Sequence, residues 1–146
     1  MSALSDYLEN KILDWLLRGQ TFSPPATLYI GLHTVTPSDS GGGTEVSGGS
    51  YARVAVTSSL ANWAGTQAAA STAVSSGTSG TTSNNVAINF PAPTANWGVI
   101  VGFGIYDAAT GGNLLWFGAL SASKTVNNGD AAPSFAVAQL QLQIDN

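Results

Sequence analysis

Five stretches of the chain alternate apolar with polar or small residues at a period of two. They centre on Leu28, Ile30 and Leu32, on Ala52, Val54 and Val56, on Val86, Ile88 and Phe90, on Val99, Val101, Phe103 and Ile105, and on Leu140, Leu142 and Ile144. A period of two sends successive side chains to opposite faces, so each stretch reads as a strand with one face buried. Glycine, proline and asparagine separate the stretches, which is the chemistry of turns.

Two further strands are expected. Leu114 to Leu120 is apolar on both faces and follows the turn Asp107 to Asn113, where Gly111 and Gly112 can take positive φ; that hairpin is expected at the centre of the core. A short strand is expected around Gln67 to Val74. The total is about seven strands, which predicts a mainly β chain built as an antiparallel β-sandwich.

One helix is added at the start. Leu4, Leu8, Ile12, Trp15 and Leu16 recur at helical spacing, with Ser5 as an N-cap and Gly19 as a left-handed stop, placing an amphipathic helix at about 5–18. Its charges, Asp6, Glu9, Lys11, Asp14 and Arg18, exclude a signal peptide. The longest run of apolar residues and glycine, Gly98 to Tyr106, is far shorter than the ~20 residues of a membrane helix.

With 146 residues, one domain over 1–146 is expected. Only 8% of residues are charged, against about a quarter in an average domain. Serine, threonine, asparagine, glutamine and 17 glycines hold the surface in water instead. A net charge of −4 with four cations offers no footprint for nucleic acid, and the absence of cysteine removes thiolate chemistry.

No catalytic constellation is visible. His33 is the lone histidine, placed by alternation on the outward face of its strand, and no G-x-S-x-G elbow accompanies it. A solvent-facing or interface histidine is expected. Asp107 and Asp130 are a conceivable glycosidase pair, but both stand beside glycines and read as turn formers. No cofactor or metal site is expected. Gly102 and Gly104 lie opposite the apolar face of their strand, where a backbone or a large ring can approach closely.

From about 58 to 85 the chain is a flexible excursion rich in Ser, Thr, Ala and Gly, with only Leu60, Trp63 and Val74 as sizeable apolar groups. That is too few for local burial. These three are expected to order against a neighbouring subunit.

Four ordered motifs carry a resemblance: Leu4 to Lys11, Pro25 to Thr34, Glu45 to Gly49 with Tyr51, Ala52 and Arg53, and Trp97-Gly98 with Phe103 to Ala109 and Gly111 to Leu115. Together they resemble a family of small tailed-bacteriophage virion proteins, over most of the chain apart from about 60–85. Members are often labelled tail fibre proteins; the stronger likeness is to cyanophage-type capsid cement proteins. The resemblance implies a non-enzymatic virion component, a homotrimer that bridges capsomers of the major capsid protein and stabilises the head. A tail fibre or baseplate component is the alternative, and a carbohydrate-binding module a third. Leu60, Trp63, Val74, Tyr51 and Arg53 are the candidate contacts to other subunits or to the capsid.

Overall fold

A computed structural model describes residues 2–144. The chain is mainly β and antiparallel throughout, with one helix near its N-terminus. The first strand, β1 (Ser2–Leu4), leads into α1 (Asp6–Arg18). A six-stranded sheet follows from β1, β2 (Thr27–Val35), β3 (Thr44–Glu45), β4 (Val54–Thr57), β7 (Gly98–Tyr106) and β8 (Leu114–Val126). Its order is β1-β8-β7-β2, with β3 and β4 sharing the outer edge of β2.

The second layer is not a full sheet. It consists of two ribbons, β5 (Thr81–Ser83) with β10 (Gln141–Gln143), and β6 (Ile88–Asn89) with β9 (Ser134–Phe135). From these ribbons and the segments beside them, Ile88, Phe90, Leu140 and Leu142 join Ile30, Leu32, Val56, Phe103 and Ile105 of the large sheet in one continuous cluster. The expected sandwich is therefore present as one broad sheet capped by two short ribbons, each pairing strands far apart in the sequence. Short strands are what the polar, glycine-rich stretches between apolar positions permit.

Three expectations need correction. No strand forms over Gln67 to Val74; side chains instead tie that stretch into turns, with Gln67 Nε2 donating to Ser71 Oγ (2.9 Å) and to the Val74 carbonyl (3.2 Å). Serine, threonine and amide groups so placed compete with a ladder for the backbone. The alternation of β7 is also broken. Ile100 pairs with Lys124 but Gly102 pairs with Ala119, and this bulge turns Ile100 into the core and leaves Val99 47% exposed. Finally, His33 is not on a solvent-facing surface: it is 1% exposed.

The edge of β2 shows why. Between the segments paired with β3 and β4, Leu32 would have no strand partner on that side. Tyr51 Oη accepts its N–H at 2.8 Å and Val46 N–H donates to its carbonyl at 3.0 Å. Buried backbone groups require such partners. Loops thus fold over a face that strand alternation alone assigns to water.

Candidate functional site

Two features are built from the motif residues: a polar clamp over the glycine face of the sheet, and an uncovered apolar face on α1.

The clamp begins with Gly31 and Gly104, which pair across β2 and β7. A Cβ on Gly31 would lie 2.7 Å from Glu45 Oε1, and one on Gly104 would lie 2.8 Å from the Tyr106 ring. The missing side chains make the trough in which the clamp sits, so the close approach expected at Gly104 is filled by an aromatic ring of the same strand.

Arg53 holds the trough closed. Its Nε and Nη2 donate to the two oxygens of Glu45 at 2.8 and 2.7 Å, and its Nη1 donates to the carbonyls of Ala108 and Gly111, both at 2.8 Å. The fork binds carboxylate bidentately and reaches the turn between β7 and β8 at once, a geometry open to a guanidinium and not to an ammonium. Tyr51 Oη donates to Glu45 Oε1 at 2.8 Å. Burial alone would raise the Glu45 carboxyl, but hydrogen bonds from Arg53 and Tyr51 outweigh it and hold the group below the usual carboxylate range.

His33 and Tyr106 complete the cluster, Nε2 to Oη at 2.8 Å. Burial lowers the histidine's pKa, with Glu45 opposing and Arg53 reinforcing the shift. Burial also pushes the Tyr106 phenol up to about 12, helped by the nearby Glu45. These groups neutralise and hydrogen-bond one another. Chemically the arrangement is a staple: it joins the β2 edge, the loop entering β4 and the β7–β8 turn.

Both Tyr51 and Arg53 are therefore committed inward, the Arg53 side chain being 7% exposed. Trp63 is half-buried, packed against the core of its own subunit and bridged to Asn84. Leu60 and Val74 remain 52% and 75% exposed. Asp107 and Asp130 both close turns: Asp107 accepts from Asn113 N–H at 2.7 Å, Asp130 from Asn127 N–H at 2.7 Å.

The residues that sequence reasoning missed are on α1. Ser5 caps the helix by accepting the N–H of Leu8, and Gly19 ends it at φ 67°. Leu8 is the one α1 residue that is buried, and Ile12 is half-buried. Leu13, Leu16 and Leu17, at helical i, i+3 and i+4, are 52%, 65% and 73% exposed, and Trp15, on the side of Leu8 and Ile12, is 54% exposed. The apolar arc of this helix is wider than the contact it makes with its own domain. Leu13 and Leu17, which extend it beyond the periodic set, were the available signal. A contiguous apolar patch of this kind marks an interaction surface.

Among the described residues no helix is long and apolar enough to cross a membrane, and no group of three or more His, Asp or Glu side chains comes together. A family model described as the podophage GP4 fiber I protein gp80 matches residues 3–143. The chain belongs to this family. The match runs through α1, the clamp and β10 alike, so membership in the fiber I family covers both features. It makes the chain a bacteriophage virion structural protein. No curated protein matches it.

Proposed function

We propose that the protein is a non-catalytic structural subunit of a short virion fibre, working as a homotrimer whose copies meet through the apolar face of α1. The family description supports the fibre, and the exposed Leu13, Leu16 and Leu17 carry the assembly role. A helix that buries one apolar side on its own β8 and leaves a second uncovered is suited to pack with copies of itself about an axis, each helix meeting two neighbours. The clamp then has a mechanical part: it fixes the loops around a rigid sheet so that the helix is presented in one orientation.

A second reading, a head cement protein bound to the major capsid protein, draws on a different feature. No described element extends into a stalk; the longest strand has 13 residues. A small subunit repeated over a shell gains attachment through many modest contacts.

Particle imaging with and without the protein separates the two. Density lost from the tail supports the fibre; density lost from positions between capsomers overturns it in favour of cement. Replacing Leu13 and Leu17 by glutamate is expected to abolish assembly while leaving the β domain folded.

A further inference from the structure

His33 sits beneath a strap formed by residues 36–45. The strap leaves the end of β2, turns back at Gly41, Gly42 and Gly43, all at positive φ, and returns as β3. Thr36 Oγ1 stands over Gly102, where a Cβ would lie 2.5 Å from it, and Glu45 Oε1 stands over Gly31. Gly102 and Glu45 are the cross-strand partners of His33 on its two sides. The strap therefore closes over the imidazole from both directions.

Its attachment is slight. β3 has two residues, its register against β2 shifts between His33 and Val35, and Ser38 and Gly41 bond to each other. Short ladders of this kind open locally before the rest of a domain unfolds. At the far end of the strap the Asp39 carbonyl accepts the N–H of Asp6, the first residue of α1, at 2.9 Å. A cleft of about 430 Å³ lies alongside this contact, lined by Asp6, Asp39 and Tyr106.

Charge under the strap balances only while His33 is neutral. The charged and titratable groups around it are Glu45 of β3, Arg53 ahead of β4, and the phenols of Tyr51 and Tyr106. An imidazolium would make two cations share one carboxylate, whose two oxygens Arg53 already holds. Nδ1 is buried with no hydrogen bond of normal geometry, the nearby Val35 backbone offsetting the burial only in part. A buried charge without its own partner is costly.

We propose that residues 36–45 are an acid-released latch: protonation of His33 expels the strap from the sheet, and loss of the Asp39 carbonyl loosens the seat of α1. The sign follows from burial, which holds the imidazole below its usual range while the strap is closed. Once uncovered, the ring titrates near its ordinary value of about 6.5. The latch is therefore firm above that pH, and each unit below it multiplies the open fraction about tenfold until the covered imidazole itself takes up the proton. On the reading that α1 joins copies, which this use of the latch rests on, the strap sets the pH range in which the helix is presented for assembly. The test reads local exchange and not mass, so failure of the latch and failure of that reading are distinct.

The purified full chain is followed by nuclear magnetic resonance from about pH 7 to pH 5, each amide exchange rate being divided by the rate of an unstructured peptide at the same pH. Two amides report: Asp6, on the Asp39 carbonyl, and Val46, which donates to the Leu32 carbonyl where the strap rejoins the sheet. Both are expected to lose protection about tenfold over this range, while the β2–β7 ladder keeps its own. His33→Gln retains a partner for Tyr106 and cannot ionise, so it is expected to hold the strap shut throughout. Unchanged protection at Asp6 and Val46, or an equal loss in His33→Gln, overturns the inference. An equal loss across the β2–β7 ladder also overturns it, because the domain then opens as a whole. If His33→Gln fails to fold, the native chain still decides: a loss that begins only below about pH 5, where carboxylates and not an uncovered imidazole titrate, overturns the latch.

Discussion

The guanidinium carbon of Arg53 lies 3.4 Å from the centroid of the Tyr106 ring, while the same side chain grips both oxygens of Glu45. One residue thus meets a carboxylate, two carbonyls and an aromatic face. Removing it leaves Glu45 without its counter-ion and the Ala108 and Gly111 carbonyls without a donor. Arg53→Met is expected to destabilise the fold by about 3 kcal/mol, the lower end for a broken buried pair because Glu45 remains a quarter exposed. Arg53→Lys keeps the charge but loses the fork and is expected to cost about 1–2 kcal/mol. Urea unfolding of the two variants checks the order; equal costs would show that charge alone matters.

The clamp also sets an acid limit in two steps. His33 has a lowered pKa in the folded protein. Below about 6.5 the unfolded chain therefore takes up a proton that the folded one resists, and stability falls as pH drops. Glu45 is held below the ordinary carboxylate range, so its contribution is intact above that range and disappears as pH falls through the depressed value. Urea midpoints measured from about pH 8 to pH 3 are expected to decline in two phases. His33→Gln is expected to remove the upper phase, leaving assembly intact, and Glu45→Gln the lower one.

Much of this architecture is legible in the sequence, and what is not has a physical cause. The apolar alternation of Leu28, Ile30 and Leu32 and the caps at Ser5 and Gly19 are local signals, and the strands and helix formed where they stood. The inward turn of His33 is not local: it depends on loops returning from Glu45 and Tyr51 to cover a face that alternation leaves open. Gly31, Gly102 and Gly104 were the one hint, since glycine in strands signals close approach without naming the visitor. The reversal at Ile100 needed a bulge, and a bulge is set by the partner strand as much as by its own.

Association through α1 is expected to be insensitive to salt. Leu13, Leu16 and Leu17 are themselves uncharged, the exposed Glu9 stands one turn before Leu13 at the margin of that face, and the Asp14–Arg18 pair is closed within the helix at 2.9 Å. Screening weakens exposed ion pairs and leaves apolar burial largely unaffected. Light scattering between about 0.05 and 0.5 M sodium chloride should report an unchanged mass. Cooling should weaken association instead, since apolar burial loses strength as temperature falls. Dissociation by moderate salt would point to a different contact.

Gly31 offers the sharpest test of the clamp's geometry. Its backbone is not in the left-handed region, so alanine there suffers no torsional strain; the obstacle is Glu45 Oε1, 2.7 Å from the new Cβ. That oxygen cannot step aside freely, because Arg53 Nε and Tyr51 Oη both hold it at 2.8 Å. Gly31→Ala is therefore expected to cost about 1–3 kcal/mol in the otherwise native chain. In a Glu45→Ala background the clash is gone, and the remaining neighbour, Tyr51 Oη at 3.1 Å, has lost its acceptor and can shift. There the substitution is expected to be neutral, or stabilising by up to about 0.5–1 kcal/mol, because glycine within a strand gives up more conformational freedom on folding than alanine does. The double-mutant cycle, read from urea unfolding, should show a coupling of at least about 1 kcal/mol in which the pair is less harmful than the sum. Additive costs would mean that Glu45 does not lie over Gly31 in solution.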